Sequence, residues 1–306
     1  MRYYTNKNDI RLLREKIMRF YHYISFSFLF IFLSTDPRPY SRKATKGKQS
    51  ANTSATNNKH VIIFDLTNVL IKENQVGFAK KIGYGTLASY AITHWKSPGY
   101  RCLDMLAEIS THETQKPHIT LTLKTRTMPR CIVELQEGKK TCAETKTEIA
   151  QCIELLDTKK FFSSAKEKSL MISIMNLILD PEAVESVIEP IKPTVQLVQK
   201  LKTAGHEVYL FANAPEELYA TAHKKFPDII QLFDGIVISS QAKAVKPDII
   251  IFNHLINTHN LNPANCILID DLEESAAAAR TLGMQAIVFD KMSHVTGKLK
   301  KCGVRI

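Results

Sequence analysis

The feature that most constrains this chain is an apolar run that ends in an acid, HVIIFDLTNVLI from His60 to Ile71. Four apolar residues, Val61 to Phe64, follow one another without the alternation expected of a strand that has one face in water. Such a run predicts a strand buried on both faces, as in a parallel sheet covered by helices. Asp65 comes next, at the carboxyl end of the strand, where open α/β sheets bind their ligands. The stretch therefore predicts both a fold and the place of its active site.

Strand and helix patterns alternate in the second half of the chain. Further strands are predicted at 206–214, 234–240, 266–271 and 285–290. Amphipathic helical segments are predicted at 193–204, 215–226, 246–260 and 273–282. Strands that alternate with helices at this spacing indicate right-handed βαβ units. The prediction is an α/β fold with a doubly wound parallel, Rossmann-like sheet.

A long, mostly helical region separates the first strand from the second. Helices are predicted at 78–95, 98–110, 163–179 and 181–188, and within 131–156, where a turn at Gly138 divides two helices. Thr141 and Glu144 have the spacing of a capping box for the second of these. We expect a core of residues 60–73 and 191–306 and an inserted all-helical cap domain at 74–190, although 119–127 also has the pattern of a short strand.

The N-terminal residues 1–34 are basic and apolar, and Ile24 to Leu33 are free of charge. This run is shorter than the roughly 20 residues of a membrane-spanning helix, but a positive flank before it is the layout of a secretory signal. The following STDPRP offers no small-x-small cleavage site. A signal or membrane anchor, with membrane association through residues 20–33, is favoured over a surface-lying helix and an incidental extension. Membrane attachment or export is therefore favoured over a cytoplasmic location.

Residues 35–59 have no apolar periodicity and are predicted to form a disordered linker. The basic character of the chain lies in this N-terminal part. Of the net charge of +11, residues 1–59 carry +9, from 12 Lys/Arg and 3 Asp/Glu, and the remaining 247 residues carry +2. With a nearly neutral folded part and no basic-aromatic motif, the sequence predicts no nucleic-acid binding.

Polar side chains stand at the ends of the predicted strands. They are Asp65 after the first, Ala212 and Asn213 after the second, Lys246 beyond the third, and Asp270 with Asp271 after the fourth. Each alone is explained equally well as a cap or a turn residue. In a parallel sheet, however, these ends meet in one crevice. Three carboxylates and a lysine there suit Mg²⁺ and an anionic, phosphorylated small substrate.

These motifs together resemble the haloacid dehalogenase (HAD-like) hydrolase superfamily, in the branch that includes sugar-phosphate phosphatases. The resemblance rests on FDLTNVL (64–70), VYLFANAP (208–215), AVKPDIIIFNHLI (244–256) and ILIDDLEESAAAARTLGMQAI (267–287). The helical insert stands where that superfamily places its C1 cap. The resemblance therefore implies the same Rossmann-like core and cap that the residue patterns predict.

The resemblance also implies a mechanism. Asp65 would be the nucleophile that takes a phosphoryl group from a small organic phosphate monoester. Asp65, the backbone carbonyl of Thr67, and Asp270 with Asp271 would hold Mg²⁺. Lys246 would orient the nucleophile and the phosphate, and Ala212 and Asn213 would lie at the phosphate. The insert would select the substrate, which the motifs do not name; they leave the oligomeric state open as well.

Two positions depart from the family pattern. Thr67 stands where most family phosphatases have a second Asp, which protonates the leaving group and then activates water. Such general acid–base assistance is typically worth about 10²–10⁴-fold in rate. Ala212 stands where the family has a Ser or Thr that donates a hydrogen bond to the phosphate.

These departures leave three functions open. The expected one is a Mg²⁺-dependent phosphatase, slowed by the missing acid. The alternative is a catalytically degenerate protein that keeps the fold as a binding or regulatory module. A dehalogenase or phosphotransferase on the same scaffold is the third.

Overall fold

A computed structural model describes residues 59–93, 98–113, 122–123 and 126–306. The predicted signal or anchor segment and all but the last residue of the predicted linker lie outside the described residues. The strands are β1 (Val61–Phe64), β2 (Ile71–Glu73), β3 (Thr122–Leu123), β4 (Arg126–Thr127), β5 (Ile188–Pro190), β6 (Glu207–Ala212), β7 (Gly235–Ile238), β8 (Cys266–Asp270) and β9 (Gln285–Val288).

Helices cover both the insert and the core. In the insert they are α1 (Gln75–Ile82), α2 (Tyr84–Thr93), α3 (Pro98–Thr111), α4 (Arg130–Gln136), α5 (Cys142–Thr158), α6 (Ala165–Ile178) and α7 (Pro181–Val187). In the core they are α8 (Lys192–Thr203), α9 (Glu216–Lys225), α10 (Pro227–Ile230), α11 (Ser239–Ala242), α12 (Ile249–Thr258), α13 (Glu273–Thr281) and α14 (Met292–Lys301). None of the helices in the described ranges has the length and apolar character needed to cross a membrane.

The central sheet has five parallel strands in the order β7-β6-β1-β8-β9. In its register, Val61 pairs with Glu207 on one side and with Cys266 on the other. The chain winds outward from β1 first in one direction and then in the other, so the winding reverses between β1 and β8. Ligands bind at such a switch point in open α/β sheets. The predicted fold class, a doubly wound α/β sheet with a helical insert, is confirmed.

The β1 strand is buried on both faces, which explains its continuous apolar run. Ile62 and Phe64 belong to the apolar core on one side of the sheet. Val61 and Ile63 belong to the core on the other side, where the aromatic rings of Phe211 and Phe252 also pack. Full burial of such a side chain contributes roughly 1.5–3 kcal/mol. Both faces of β1 thus hold the strand, and with it Asp65, in a fixed position.

The insert is joined to the core by a two-stranded antiparallel ribbon. Its outgoing strand β2 pairs with its returning strand β5, with Ile71 opposite Pro190 and Glu73 opposite Ile188. The backbone N–H of Ile191 then donates to the Leu70 carbonyl at 2.8 Å. The insert therefore begins and ends at neighbouring positions beside the turn that follows Asp65.

The helices of the insert follow the predicted order with small differences. Gly83, at a φ of +96°, divides the predicted helix 78–95 into α1 and α2, because this backbone conformation cannot continue a helix. The capping box is present, with the Thr141 hydroxyl accepting from the Glu144 N–H at 3.2 Å. The insert is not wholly helical, since β3 and β4 form a two-residue antiparallel pair within 119–127.

The core strands β6 to β9 are each shorter than predicted, and at β7 a helix begins where the strand was expected to continue. The segment 234–240 was expected to be extended throughout, but β7 ends at Ile238 and Ser239 begins the short helix α11. Lys243, at a φ of +56°, ends this helix in the left-handed conformation. The chain turns at Ser239 because its buried hydroxyl bonds to two other segments, as described below.

Candidate active site

Lys246 is the centre of a buried charge cluster at the carboxyl edge of the sheet. Its Nζ donates to Asp65 Oδ1 at 2.8 Å, to Asp270 Oδ2 at 2.7 Å and to the Phe211 carbonyl at 2.9 Å. An ammonium group has three hydrogens, so these three bonds use all of its donors. Asp65, Lys246 and Asp270 are each at most 2% exposed. The structure thus brings together side chains from three predicted strand ends.

Asp271 faces the turn after β1. Its Oδ2 accepts from the Asn68 side-chain amide at 3.0 Å. Asn68 has a φ of +57°, in the left-handed region that asparagine tolerates better than most residues. The turn is closed by the backbone N–H groups of Leu70 and Ile71, which both donate to the Leu66 carbonyl. This local geometry places the Asn68 side chain against Asp271, the residue that follows β8.

The three carboxylates can converge on one cation. Each of Asp65, Asp270 and Asp271 offers an oxygen, and these oxygens lie within 4.8 Å of one another. Asp65 Oδ2 and Asp271 Oδ1 are buried and have no hydrogen-bond partner among the described residues. Burying a carboxylate oxygen without a partner costs free energy unless a positive charge lies next to it. Oxygen donors of this kind fit Mg²⁺.

Burial and mutual repulsion shift the pKa values of this cluster. Burial raises the pKa of Asp65 to about 6, against the opposing attraction of Lys246. Burial, together with the charges of Asp270 and Asp65, raises the pKa of Asp271 well above its usual range. Burial alone would lower the pKa of Lys246, but Asp270 and Asp65 together raise it above its ordinary value. The lysine therefore stays charged, whereas Asp65 and Asp271 bind protons more readily than ordinary aspartates.

Asn213 holds the backbone of Lys246. Its side-chain Oδ1 accepts from the Lys246 N–H at 2.8 Å, and its Nδ2 donates to the Lys246 carbonyl at 2.9 Å. This two-point contact fixes the lysine relative to the end of β6. Ala212, the last residue of β6, is fully buried and packs in the apolar core. It offers no side-chain donor to a phosphate.

Thr67 lies two residues beyond Asp65 and is 3% exposed. Its side chain is not ionisable near neutral pH, so this position supplies neither a general acid nor a general base. Thr67 lines a small cavity that is about 50 Å³ in volume, between the core and the insert. Of the 14 residues lining the cavity, 11 are apolar, and the other three are Thr67, Gln136 and Asn213.

Ser239 connects the insert to the site and was not identified from the sequence. Its Oγ donates to the Gln136 carbonyl at 2.6 Å and accepts from the Ala214 N–H at 3.0 Å. The bond to Gln136 attaches α4 of the insert to the core, and the bond to Ala214 fixes the loop after β6. The signal that could have revealed it is the Ser-Ser pair at a strand end, the same kind of position as that of Asp65.

Gly138 allows the insert to approach the core closely. It has a φ of +64°, and a Cβ at this position would lie 2.6 Å from the Ser240 carbonyl oxygen. The Lys243 ammonium donates to the Gly138 carbonyl at 3.0 Å. Glycine is required here both for its backbone conformation and for the space.

Comparison with known proteins identifies the family of this chain. A family profile described as haloacid dehalogenase-like hydrolase matches residues 59–283. A sesquiterpene phosphatase from Aspergillus oryzae is 29% identical over 106 residues, which are 35% of this chain and 50% of that protein. This chain thus spans about half the length of the curated relative that it matches.

Solved structures similar to this chain have low sequence identity to it. A HAD family enzyme from Bacteroides thetaiotaomicron is 19% identical over 78% of this chain and 98% of its own, with a TM-score of 0.48. A predicted HAD-like family hydrolase from Porphyromonas gingivalis is 16% identical over 81% of this chain and 100% of its own, with a TM-score of 0.49. Because the family profile spans most of the chain, from before β1 to beyond α13, this protein belongs to the haloacid dehalogenase-like hydrolases.

Proposed function

We propose that this protein is a Mg²⁺-dependent phosphatase that uses Asp65 as its nucleophile on a small organic phosphate monoester. The observation that carries the proposal is the state of Asp65. Its Oδ1 is held by Lys246, while its Oδ2 is buried and has no hydrogen-bond partner in the described residues. One oxygen is thus oriented by the lysine, and the other is open to the substrate and to the cation. The name of the Aspergillus oryzae relative supports a phosphate ester as the substrate.

In the first step, Asp65 attacks the phosphorus atom and the bond to the ester oxygen breaks. The electron pair of that bond goes to the leaving-group oxygen, which takes its proton from solvent because the Thr67 hydroxyl is too weak an acid to supply one near neutral pH. With a pKa of about 6, Asp65 is mostly ionised at pH 7 and able to attack. Bound Mg²⁺, held by Asp65, Asp270 and Asp271, would neutralise charge on the phosphoryl oxygens.

In the second step, water must cleave the aspartyl phosphate. Position 67 supplies no base to activate this water, and assistance of that kind typically contributes about 10²–10⁴-fold. We therefore expect hydrolysis of the phosphorylated enzyme to be the slow step. Lys246 stays bound to Asp270 and keeps its position through Asn213 during both steps.

The test uses the full chain with Mg²⁺ or with EDTA. A p-nitrophenyl phosphate assay and a panel of phosphate esters would be run on wild type, Asp65→Asn and Asp290→Asn. Asp290 is the matched control because it is also an aspartate beyond a strand end but is exposed and pairs with His294. Metal-dependent phosphate release that Asp65→Asn abolishes and Asp290→Asn preserves would support the proposal. Neither release nor an acid-resistant phosphoryl adduct on Asp65 would overturn it.

A second candidate is a binding or regulatory module. The observation that favours it is the saturation of Lys246, whose three donors are already used within the protein. A phosphate would have to displace one of these bonds, and Ala212 offers no replacement donor. Inorganic phosphate that binds in the presence of Mg²⁺ without any turnover or adduct would favour this candidate. A dehalogenase would differ from both because it should work without the metal.

A further inference from the structure

The cavity beside Asp65 has a mostly apolar lining, unlike the charge cluster next to it. From the core, Leu66, Ile71 and Leu218 line it, and from the insert, Leu135, Ile178 and Val184 do. None of the described residues that line it is charged. The charge cluster and the apolar cavity adjoin each other, since Leu66 and Thr67 follow Asp65 directly in the chain.

Such a lining discriminates between kinds of leaving group. A hydrocarbon group gains from leaving water as each methylene is buried. A sugar-like group would bring several hydroxyls that need hydrogen-bond partners, and unpaired buried hydroxyls are unfavourable. Of the three polar residues lining the cavity, Asn213 already uses its amide on the backbone of Lys246. The walls therefore leave few partners for a polyhydroxylated group.

Gln136 is a second observation that points to a ligand here. Its side chain is 7% exposed, and its Oε1 is buried without a hydrogen-bond partner among the described residues. Its backbone carbonyl is held by Ser239, so the residue has a fixed position on the cavity wall. A buried polar atom without a partner is uncommon in native structures and calls for an explanation. Because Oε1 only accepts hydrogen bonds, a bound substrate that donates one, such as the hydroxyl of a singly protonated phosphate end, supplies that explanation.

We propose that the leaving group of the substrate is an apolar, hydrocarbon-like alcohol that binds in this cavity. The proposal rests on the proposed phosphatase function and names its substrate class. The phosphoryl group lies at Asp65, and the carbon chain extends between the core and the insert. At about 50 Å³ the cavity holds a short hydrocarbon segment, so a longer chain must extend beyond it or shift the insert at the Ser239–Gln136 contact.

Binding of unreactive phosphonates tests the substrate class without any need for turnover. The full chain with Mg²⁺ would be titrated calorimetrically with methyl- to hexylphosphonate. We expect affinity to rise about fourfold per methylene, the value for complete burial, until the cavity is filled. Hydroxyethylphosphonate should bind at least about tenfold more weakly than propylphosphonate, which has the same number of heavy atoms. The affinities of isopentyl- and pentylphosphonate would show whether the cavity prefers a branched or a linear hydrocarbon chain.

Two valines on one helix provide matched variants. Val184 lines the cavity, whereas Val187, also on α7, is equally buried but does not line it. Val184→Thr keeps the shape and adds a hydroxyl, and it should lower pentylphosphonate affinity about tenfold while Val187→Thr leaves it unchanged. Leu218→Gln, at a partly exposed position on the cavity, serves if Val184→Thr does not fold.

The outcomes separate the two proposals. Affinity that does not depend on chain length, or equal binding of hydroxyethyl- and propylphosphonate, would overturn the apolar leaving group. Equal effects of the two valine variants would place the hydrocarbon elsewhere and would also overturn it. Absence of both Asp65-dependent phosphate release and a phosphoryl adduct on Asp65 would overturn the phosphatase function but would leave a chain-length dependence of binding intact.

Discussion

Two buried groups of charges in this protein have opposite hydrogen-bonding states. In the insert, Glu167 is 1% exposed and both of its oxygens are paired. Its Oε1 accepts from Arg101 Nε at 2.6 Å, and its Oε2 accepts from the Ser163 N–H at 2.7 Å and hydroxyl at 2.6 Å. Burial raises the pKa of Glu167, but the Ser163 and Arg101 contacts outweigh it and lower the pKa overall. This carboxylate is stabilised as an ion.

In the core, Asp65 and Asp270 share one lysine, and Asp271 beside them accepts from Asn68. Oxygens of Asp65 and Asp271 remain unpaired among the described residues, and the pKa values of both groups are raised. Complete pairing indicates a group that stabilises the fold, whereas incomplete pairing indicates one that awaits a ligand. The comparison teaches that burial and charge alone do not identify a functional acid. Unpaired oxygens that converge with other carboxylates on one point, as those of Asp65 and Asp271 do, identify it.

The largest expected effect comes from neutralising the unpaired acid. Asp65→Asn should lower phosphate release by about 10⁴-fold or more because it removes the proposed nucleophile. It should not lower the free energy of unfolding, because the cluster loses repulsion. Glu167→Gln should lower the free energy of unfolding but keep most of the activity per folded molecule. Steady-state kinetics with urea denaturation of the same samples checks both. Equal losses of activity in the two variants would contradict the distinction between the paired and the unpaired acids.

Removing the paired acid should destabilise the fold strongly. Glu167→Ala leaves Arg101 partly buried and without this partner, so the free energy of unfolding should fall by about 3–5 kcal/mol. The control is Glu154→Ala, which removes an ion pair between Lys168 and a side chain that is 67% exposed. An exposed pair of this kind is worth about 0–1 kcal/mol. Similar losses in the two variants, measured by urea denaturation, would contradict the distinction.

Mg²⁺ should stabilise the protein through the unpaired oxygens. At a free concentration 100 times the Kd, binding to the folded state alone adds about 2.7 kcal/mol to the free energy of unfolding. Asp271→Asn should lose most of this gain, while Glu167→Gln should keep it. Thermal unfolding over a Mg²⁺ titration measures the effect. A gain that is unaltered in Asp271→Asn would place the metal elsewhere.

Stability should depend on pH in opposite directions for the two groups. The pKa of folded Asp65 is about 6, above its ordinary value of 3.8. The contribution of Asp65 to the free energy of unfolding is therefore present at low pH and is lost as pH rises through 4 to 6. The expected loss in metal-free protein is about 1–3 kcal/mol. Glu167 has a pKa lowered from 4.5, so its stabilisation is present above that value and is lost at more acidic pH.

Denaturation at pH 4, 5, 6 and 7 in EDTA would measure these contributions. Asp65→Asn should flatten the decline between pH 4 and 6, and Glu167→Gln should leave that decline unchanged. Metal-free wild type that gains stability from pH 4 to 6 would contradict the assignment for Asp65.

The smallest expected effect concerns the polar side chain in the cavity. Gln136→Leu removes a buried Oε1 without a partner and keeps the backbone contact to Ser239. The free energy of unfolding should therefore rise by about 1 kcal/mol, as when an unsatisfied buried group is replaced by an apolar one. Urea denaturation checks this. A loss of stability would show that the amide has a structural partner.

The sequence predicts the sheet and the convergence at its edge for one physical reason. Unbroken apolar strands that alternate with helices must be parallel, and parallel strands end at the same edge, so Asp65, Lys246 and Asp270 had to meet. Contacts between insert and core carry no such periodic signal. The bonds of Ser239 and the exposure of Gln136 depend on how the insert docks. For the same reason, the cavity lining could not be predicted.

The β2–β5 ribbon has a consequence for how proteins of this architecture diversify. Because Glu73 and Ile188 are directly paired, the segment between them starts and finishes at adjacent points of the backbone. That segment can be exchanged for another of different length without moving the strands of the core sheet. The part of the cavity wall that the insert contributes can therefore change while the reaction centre proposed at Asp65 keeps its place. A chimaera that carries a foreign insert on this ribbon would keep the Lys246 cluster intact and acquire a new range of substrates.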